Sequence, residues 1–284
     1  AAPAAATAAA PAAAAEQPAE PQLWVPLKTT DYIDFDSPLD APDMTFSAWI
    51  FLSSADRTPN IKTVAANRWA GCDADAHHNG FALYVNEWNT DNRALKVDWG
   101  NRVDGCAALS SDPGLIPLDT WTHVGVAFQA AADGQPGVVM LFKDGQMVKR
   151  AHCTRVPQAT IGLRLGMHAD GQYGFAGRIA FPAVMSLVVT PDQLAFAMKQ
   201  TTAAGMRAFA DAAAGKTLAL FVLNGDEEEP LVTDVTAAGH TGRPSPSLVK
   251  PAGLPKPAAL PTPPAGAGAA AAPAAAAAAA AGAG

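Results

Sequence analysis

The densest run of side chains able to do chemistry is residues 67–79, NRWAGCDADAHHN. Asp73, Asp75 and Asn79 offer the carboxylate and amide oxygens that a hard cation such as Ca²⁺ needs, in a shell completed by carbonyls and water. Short Asp- and Asn-rich stretches also serve as ordinary loop caps. His77 and His78 are adjacent, and neighbours on an extended chain point opposite ways, so they make a poor transition-metal pair. Trp69 opens the stretch. A second polar and aromatic run, WNTDN at 88–92, sets Trp88 beside Asn89 and Asn92. A sugar needs an exposed ring to stack on and a few placed polar groups. Trp69, Trp88, Asn89 and Asn92 are therefore the candidate ligand contacts. The competing reading of each ring is a cap over the core beneath a long loop.

Catalytic chemistry is poorly supplied. Glycoside hydrolysis needs two carboxyl groups on either side of the scissile bond, one of them with a raised pKa. Between residues 22 and 250 the glutamates are Glu87 and Glu227, Glu228 and Glu229, and none falls in a strand-like run. Asp34 and Asp36 share one face of a strand, which reads as a solvated edge. No Gly-x-Ser-x-Gly turn is present to present a nucleophilic serine. The chain is read as non-catalytic.

The formal charge of −7 comes without a basic block, which argues against a nucleic-acid partner. No segment is long and apolar enough to insert in a membrane. The three cysteines permit one disulfide and one free thiol. Cys72 and Cys106 both lie in glycine-flanked loop sequence and are the favoured pair; three free thiols is the alternative. A bridge would imply an oxidising compartment. The absence of Cys-x-x-Cys argues against zinc.

The elements that must position these loops are strands. Residues 121–149 hold two apolar runs, 124–128 and 138–142, followed by Asp144-Gly145, the residue pair best suited to a type I′ hairpin turn. Three antiparallel strands in succession are predicted there. MTFSAWIFL at 44–52 is apolar on both faces, as in a strand covered on both sides. Shorter strands are predicted near 23–27, 32–35, 61–66, 80–86, 95–99, 159–166, 175–184 and 217–223, with 101–117 and the segment beyond 224 as irregular connections. Thr190-Pro191 starts one helix, running to about residue 214. About ten short strands and one late helix predict an all-β fold, an antiparallel two-sheet sandwich or jelly roll. Residues 1–21 and 251–284 are Ala/Pro- and Ala/Pro/Gly-rich. They bury too little to offset the entropy of ordering and read as linkers flanking one domain at 22–250. No signal peptide is visible, so the chain reads as an internal segment of a longer protein.

The order of the strand sequences resembles the laminin-G-like domains of the concanavalin A-like lectin/glucanase superfamily. The similarity rests on YIDF at 32–35 with MTFSAWI at 44–50, NGFALYV at 79–85, LDTWTHV at 118–124, LFKDG at 141–145, LRLG at 163–166 with FAGRI at 175–179, and TPDQL at 190–194. Ala180 and Phe181 stand where the family usually carries two acidic residues, which removes any acidic contact there. The resemblance implies a jelly roll whose loops, not its strands, bind. It implies that Trp69 and Trp88 flank one end of the sandwich, with Trp49 and Trp121 in the core and Trp99 beside the loops. It places a calcium ligand at Asp75 or Asn79, opposite a second position near 155–158 where Gln158 alone offers an oxygen. Ca²⁺ is the one cofactor this chemistry would admit. Residues 218–240 resemble a family segment that either closes this domain or opens the next. The implied function is a recognition module for a glycan or protein ligand, within a larger extracellular or surface protein and beside other domains of it. A structural assembly module and a polysaccharide hydrolase are the alternatives.

Overall fold

The structure is a computed structural model and describes residues 21, 23–73, 75–101, 105–212, 217–224, 231–234, 236 and 239–248. Both low-complexity termini lie outside the described residues. In chain order the strands are β1 (Val25–Leu27), β2 (Ile33–Phe35), β3 (Met44–Leu52), β4 (Lys62–Ala66), β5 (Phe81–Val85), β6 (Leu95–Gly100), β7 (Cys106–Ser110), β8 (Trp121–Gln129), β9 (Gly137–Lys143), β10 (Gln146–Cys153), β11 (Arg164–Leu165) and β12 (Gly177–Met185). Helices α1 (Pro191–Met198) and α2 (Ala203–Ala212) follow, then β13 (Thr217–Asn224), β14 (Leu231–Asp234) and β15 (Gly242–Pro244).

The predicted meander is β8–β9–β10, with Asp144 and Gly145 at φ 48° and 76°. Both central residues take the positive φ of a type I′ turn, as the Asp-Gly pair requires. One sheet runs β10-β9-β8-β3-β12-β13-β14, with β1 also on β12; the other runs β15-β2-β11-β4-β5-β6-β7. The two inner faces enclose one core. From β3 it takes Phe46, Ala48 and Ile50, and from the facing sheet Phe81, Leu83 and Val97. Trp49 points the other way, into a second apolar cluster with Phe142, Phe181, Leu194, Met198 and Phe209 beneath the helices. That second layer explains why β3 is apolar on both faces. The two residues that replace the family's acidic pair, Ala180 and Phe181, belong to it. Phe181 sits at φ 46° in a bulge of β12 beside Pro182, where the ladder to β3 slips. The bulge accommodates a proline that cannot donate to the ladder.

Several boundaries differ from the sequence reading. The helical stretch is two helices, because Thr202 caps a second one by accepting from the Gly205 amide at 3.1 Å. The connection at 101–117 contains β7, and the strand expected over 159–166 shrinks to β11. β13 pairs with β12 and β15 with β2, so 217–244 closes this domain. β10 pairs only with β9 and forms a free edge, its exposed positions including Lys149, Arg150 and His152.

One end of the sandwich is clasped by a buried ion pair. Arg155 donates to both Asp40 oxygens at 2.6 and 2.8 Å, and their side chains are 3% and 0% exposed. The guanidinium lies 4.3 Å from the Phe128 ring centroid. Asp40 also accepts from Asn67 and from the Gln158 amide. Asp40→Ala would strand a buried guanidinium, and we expect a loss of about 3–5 kcal/mol in urea unfolding. Adding Arg155→Met should restore most of it.

Two buried histidines set the acid response. Burial lowers both His123 and His168 to about 3, with the Arg68 charge adding to the effect on His168. An unfolded chain titrates them near 6.5. As pH falls below that value, the unfolded state takes up protons that the native state refuses. Stability should therefore drop by up to about 2.7 kcal/mol per pH unit between pH 6 and 4. Urea titrations at pH 7, 5.5 and 4.5 measure this, and His168→Gln should roughly halve the slope.

Candidate functional site

The 67–79 loop is built inward from a disulfide. Cys72 and Cys106 are bridged, fixing the loop to the start of β7, while Cys153 is a buried free thiol. Gly105 sits at φ 81° with its Cα against the Cys72 carbonyl, so closely that a Cβ would lie 1.7 Å from that oxygen. Arg68, almost wholly buried, donates to the carbonyls of His78 and Gly71. His78 is buried between two acceptors, the Asp75 carboxylate at 2.8 Å and the Ala70 carbonyl at 3.0 Å.

These bonds decide what the proposed calcium ligands can do. Asp75 caps the short 3₁₀ turn Ala76–His78, and its Oδ1 accepts from the His77 amide and from His78. Its carboxyl is held below the usual range chiefly by the His78 hydrogen bond. Asp73 points to solvent, its side chain 86% exposed. Asn79 is buried, and its carbonyl and that of Ala76 both accept from the Gln158 amide nitrogen at 3.2 Å. Both are main-chain oxygens, through which the Gln158 side chain ties the loop to the segment after β10. Among the described residues no three His, Cys, Asp or Glu side chains converge as a metal site. Asp75 Oδ1 is taken up by its cap, and Asp73 stands apart from it in solvent.

The ring residues are separated rather than gathered. Trp69 lies in the loop leading into β5 and Trp88 in the turn leaving it, so they sit at opposite ends of the strand. Trp69 is 40% exposed and stacks on His77 with centroids 4.1 Å apart. Trp88 is 64% exposed. Its turn is internally satisfied: Asn92 Oδ1 accepts from the Glu87 and Ala94 amides, and Thr90 bonds back to Glu87. Asn89 stands in the left-handed region at φ 56°. Trp99 faces the core, edge-on to Phe128, and is no surface residue. Trp121 is half-buried on the outer face, edge-on to Phe51, rather than in the core. An odd number of residues from the β8 inward set (Val124, Val126, Phe128) puts it on that side.

The structure also shows a polar group on the outer face of β5 and β6 that strand patterning alone does not announce. Tyr84 is paired electrostatically with Asp98, and Arg68, Lys96 and Glu87 act on the same two side chains. Burial pushes both the Tyr84 hydroxyl and the Asp98 carboxyl up. Asp98 Oδ1 is sealed from solvent without a partner. The alternation of LKVDW at 95–99 was the available signal. Asp34, on the same sheet, is engaged bidentately by Arg164, which also lies 4.1 Å over the Tyr32 ring.

A laminin-G family model, described as the concanavalin A-like lectin/glucanases superfamily, matches residues 27–195. The chain belongs to that superfamily. No curated protein sequence matches it. Among solved structures, a Bacteroides ovatus protein provisionally described as carbohydrate binding superposes with a TM-score of 0.53 at 16% identity. The alignment covers 76% of this chain and 56% of that one, so the chain spans little more than half of its length. The CBM40 domain of the Ruminococcus gnavus IT-sialidase, bound to α2,3-sialyllactose, aligns at TM-score 0.45 and 16% identity over 62% of this chain and 98% of its own. A heptameric SAP-like pentraxin from Limulus polyphemus aligns at 0.43 and 15% over 62% and 80%. At these identities the likeness is one of fold. Within this lectin/glucanase-type sandwich, the two loops carrying Trp69 and Trp88 are surface features of a shared scaffold.

The bridge closes 34 residues of chain, which corresponds to about 3–4 kcal/mol of stabilisation. Thiol counting in denaturant should find one free thiol without reductant and three with it. EDTA or added Ca²⁺ should leave the melting temperature unchanged; a calcium-dependent rise would restore the metal reading.

Proposed function

We propose that this domain is a non-catalytic recognition module that binds a glycan through exposed loop aromatics, in a larger extracellular or surface protein. The observation that carries the reading is Trp88. An indole 64% exposed gains nothing by packing, yet the turn beneath it is fixed by hydrogen bonds that consume Asn92 and Thr90. A rigid ring presented to water costs little ordering when a ligand stacks on it. Trp69 on its His77 platform provides a second contact at the far end of β5. Superfamily membership and the carbohydrate-binding description of the Bacteroides ovatus protein support the same ligand class. The disulfide favours an oxidising compartment.

A hydrolytic reading has one observation on its side, the raised carboxyl of Asp98. A general acid of this kind needs a second carboxylate across the scissile bond, and Asp34, the strand carboxylate with a matching neighbour in sequence, is held by Arg164.

A glycan array probed with the chain should identify bound sugars. Trp88→Ala should weaken the best hit about tenfold, in the range of a single truncated aromatic anchor. Undiminished binding by the Trp88→Ala, Trp69→Ala double variant would remove the proposed site. Polysaccharide turnover abolished by Asp98→Asn would replace the reading by hydrolysis.

A further inference from the structure

The outer face of the eight-stranded sheet carries a row of side chains that runs across four of its strands. Strand register places Pro26, Arg178, Phe51 and Trp121 side by side across β1, β12, β3 and β8. The Arg178 guanidinium lies 4.4 Å from the Trp24 ring centroid and 4.6 Å from that of Phe51. Phe51 in turn meets Trp121 edge-on at 5.7 Å. Arg178, Phe51 and Trp121 are half-buried, and Trp24 and Trp121 border the apolar cluster beneath the helices.

The row borders a cavity of about 520 Å³ lined by Leu27, Lys28, Phe51, Ser53, Thr58 and Arg178, among others. That size lies within the range of small-ligand sites. Its two carboxylates are hydrogen-bonded elsewhere, Asp56 by a cation and Asp31 by neutral donors alone. Asp31 accepts from the Lys28 amide and the Thr30 hydroxyl, and Asp56 is paired with Lys62 and accepts from the Thr58 amide. Arg178 makes ring contacts but no hydrogen bond to a described residue, and the Lys28 ammonium likewise has none. Neither cation is hydrogen-bonded to Asp31 or Asp56, the two carboxylates of the same lining. A guanidinium set between two rings, with no hydrogen bond to a described residue, has a planar fork that matches a carboxylate in two parallel hydrogen bonds. Pro26, Leu27 and Phe51 supply the apolar part of the lining.

We infer that this cavity is a second glycan site, specific for a carboxylate-bearing saccharide, with Arg178 binding the carboxylate and Phe51 and Lys28 lining its place. This rests on the glycan-binding reading for its ligand class but not for its location.

The test is isothermal titration of the whole chain with trigalacturonate and, in parallel, with galactotriose and a sulfated galactotriose. Trigalacturonate should bind at least tenfold more tightly than the neutral trisaccharide, and more weakly as salt rises. Arg178→Ala and Arg178→Lys should each lose that preference, because lysine cannot reproduce the two-pronged contact. Trp88→Ala should leave it intact. Unfolding midpoints check that the variants remain native, and Lys28→Ala, an exposed change, gives a second reading with an expected loss of several-fold. Equal binding of the acidic and neutral sugars, or trigalacturonate binding unaffected by Arg178→Ala and Lys28→Ala, overturns the site. Preference for the sulfated sugar overturns its carboxylate specificity. Sugar binding lost on Trp88→Ala but untouched at Arg178 would sink this inference alone. Failure of every saccharide on both the array and the titration would sink both.

Discussion

The Asp40–Arg155 pair is the constraint on which one end of the molecule depends. Two opposite charges sit where water does not reach, and each is safe only while the other is present. Asp40 simultaneously holds Asn67, at the start of the long loop, and the Gln158 amide on the opposite crossing. Gln158 then reaches back to the Ala76 and Asn79 carbonyls. A single buried carboxylate therefore registers three chain segments, and the disulfide at Cys72 pins the far side of the same loop. The loop is scaffold as much as surface. Asp75 is occupied in shaping it, accepting from His77 and His78, while Asp73 faces solvent.

The other end is held differently. There the turn after β5 and the segment after β7 are tied backbone to backbone, Gly114 to Asn92 and Ile116 to Arg93. Asn86 reaches the Asn60 carbonyl. Neutral hydrogen bonds and left-handed turn residues act there alongside the largely buried Asp56–Lys62 pair. Trp88 projects from this frame with nothing packed over most of its surface. Trp69 and Trp88 thus differ in character as well as in place: one lies on a loop pinned by the Cys72–Cys106 bridge, the other projects from a hydrogen-bonded turn.

The strands were largely legible because their signals are local. Asp144-Gly145 dictates its own turn, and the two-sided apolarity of 44–52 correctly announces coverage on both faces. The split of the helix at Thr202 was legible too, as a capping residue, but an alanine-rich sequence masks it. The site was less legible because its decisive facts are long-range. Whether a loop precedes or follows a strand fixes which end it occupies, and Trp69 and Trp88 bracket the same β5. The cross-strand neighbours of Arg178 lie on β1 and β3, more than a hundred residues upstream, and no local pattern brings them together. The partner of Asp34 is Arg164, equally remote. Trp121 illustrates the limit of pattern: its sequence context is that of a core strand, while strand parity turns it outward.

The free edge of β10 has a consequence for many copies held close together. The outward-facing backbone groups of its eight residues, unpaired among the described residues, are a template on which a second copy could extend the sheet. Antiparallel pairing of the edge with itself about Lys149 and Arg150 would stack like charges on like. Crowded onto one surface, neighbouring copies are thus kept apart by their own edges, more firmly in dilute salt than in concentrated salt. The domain can be densely displayed without fusing into a filament.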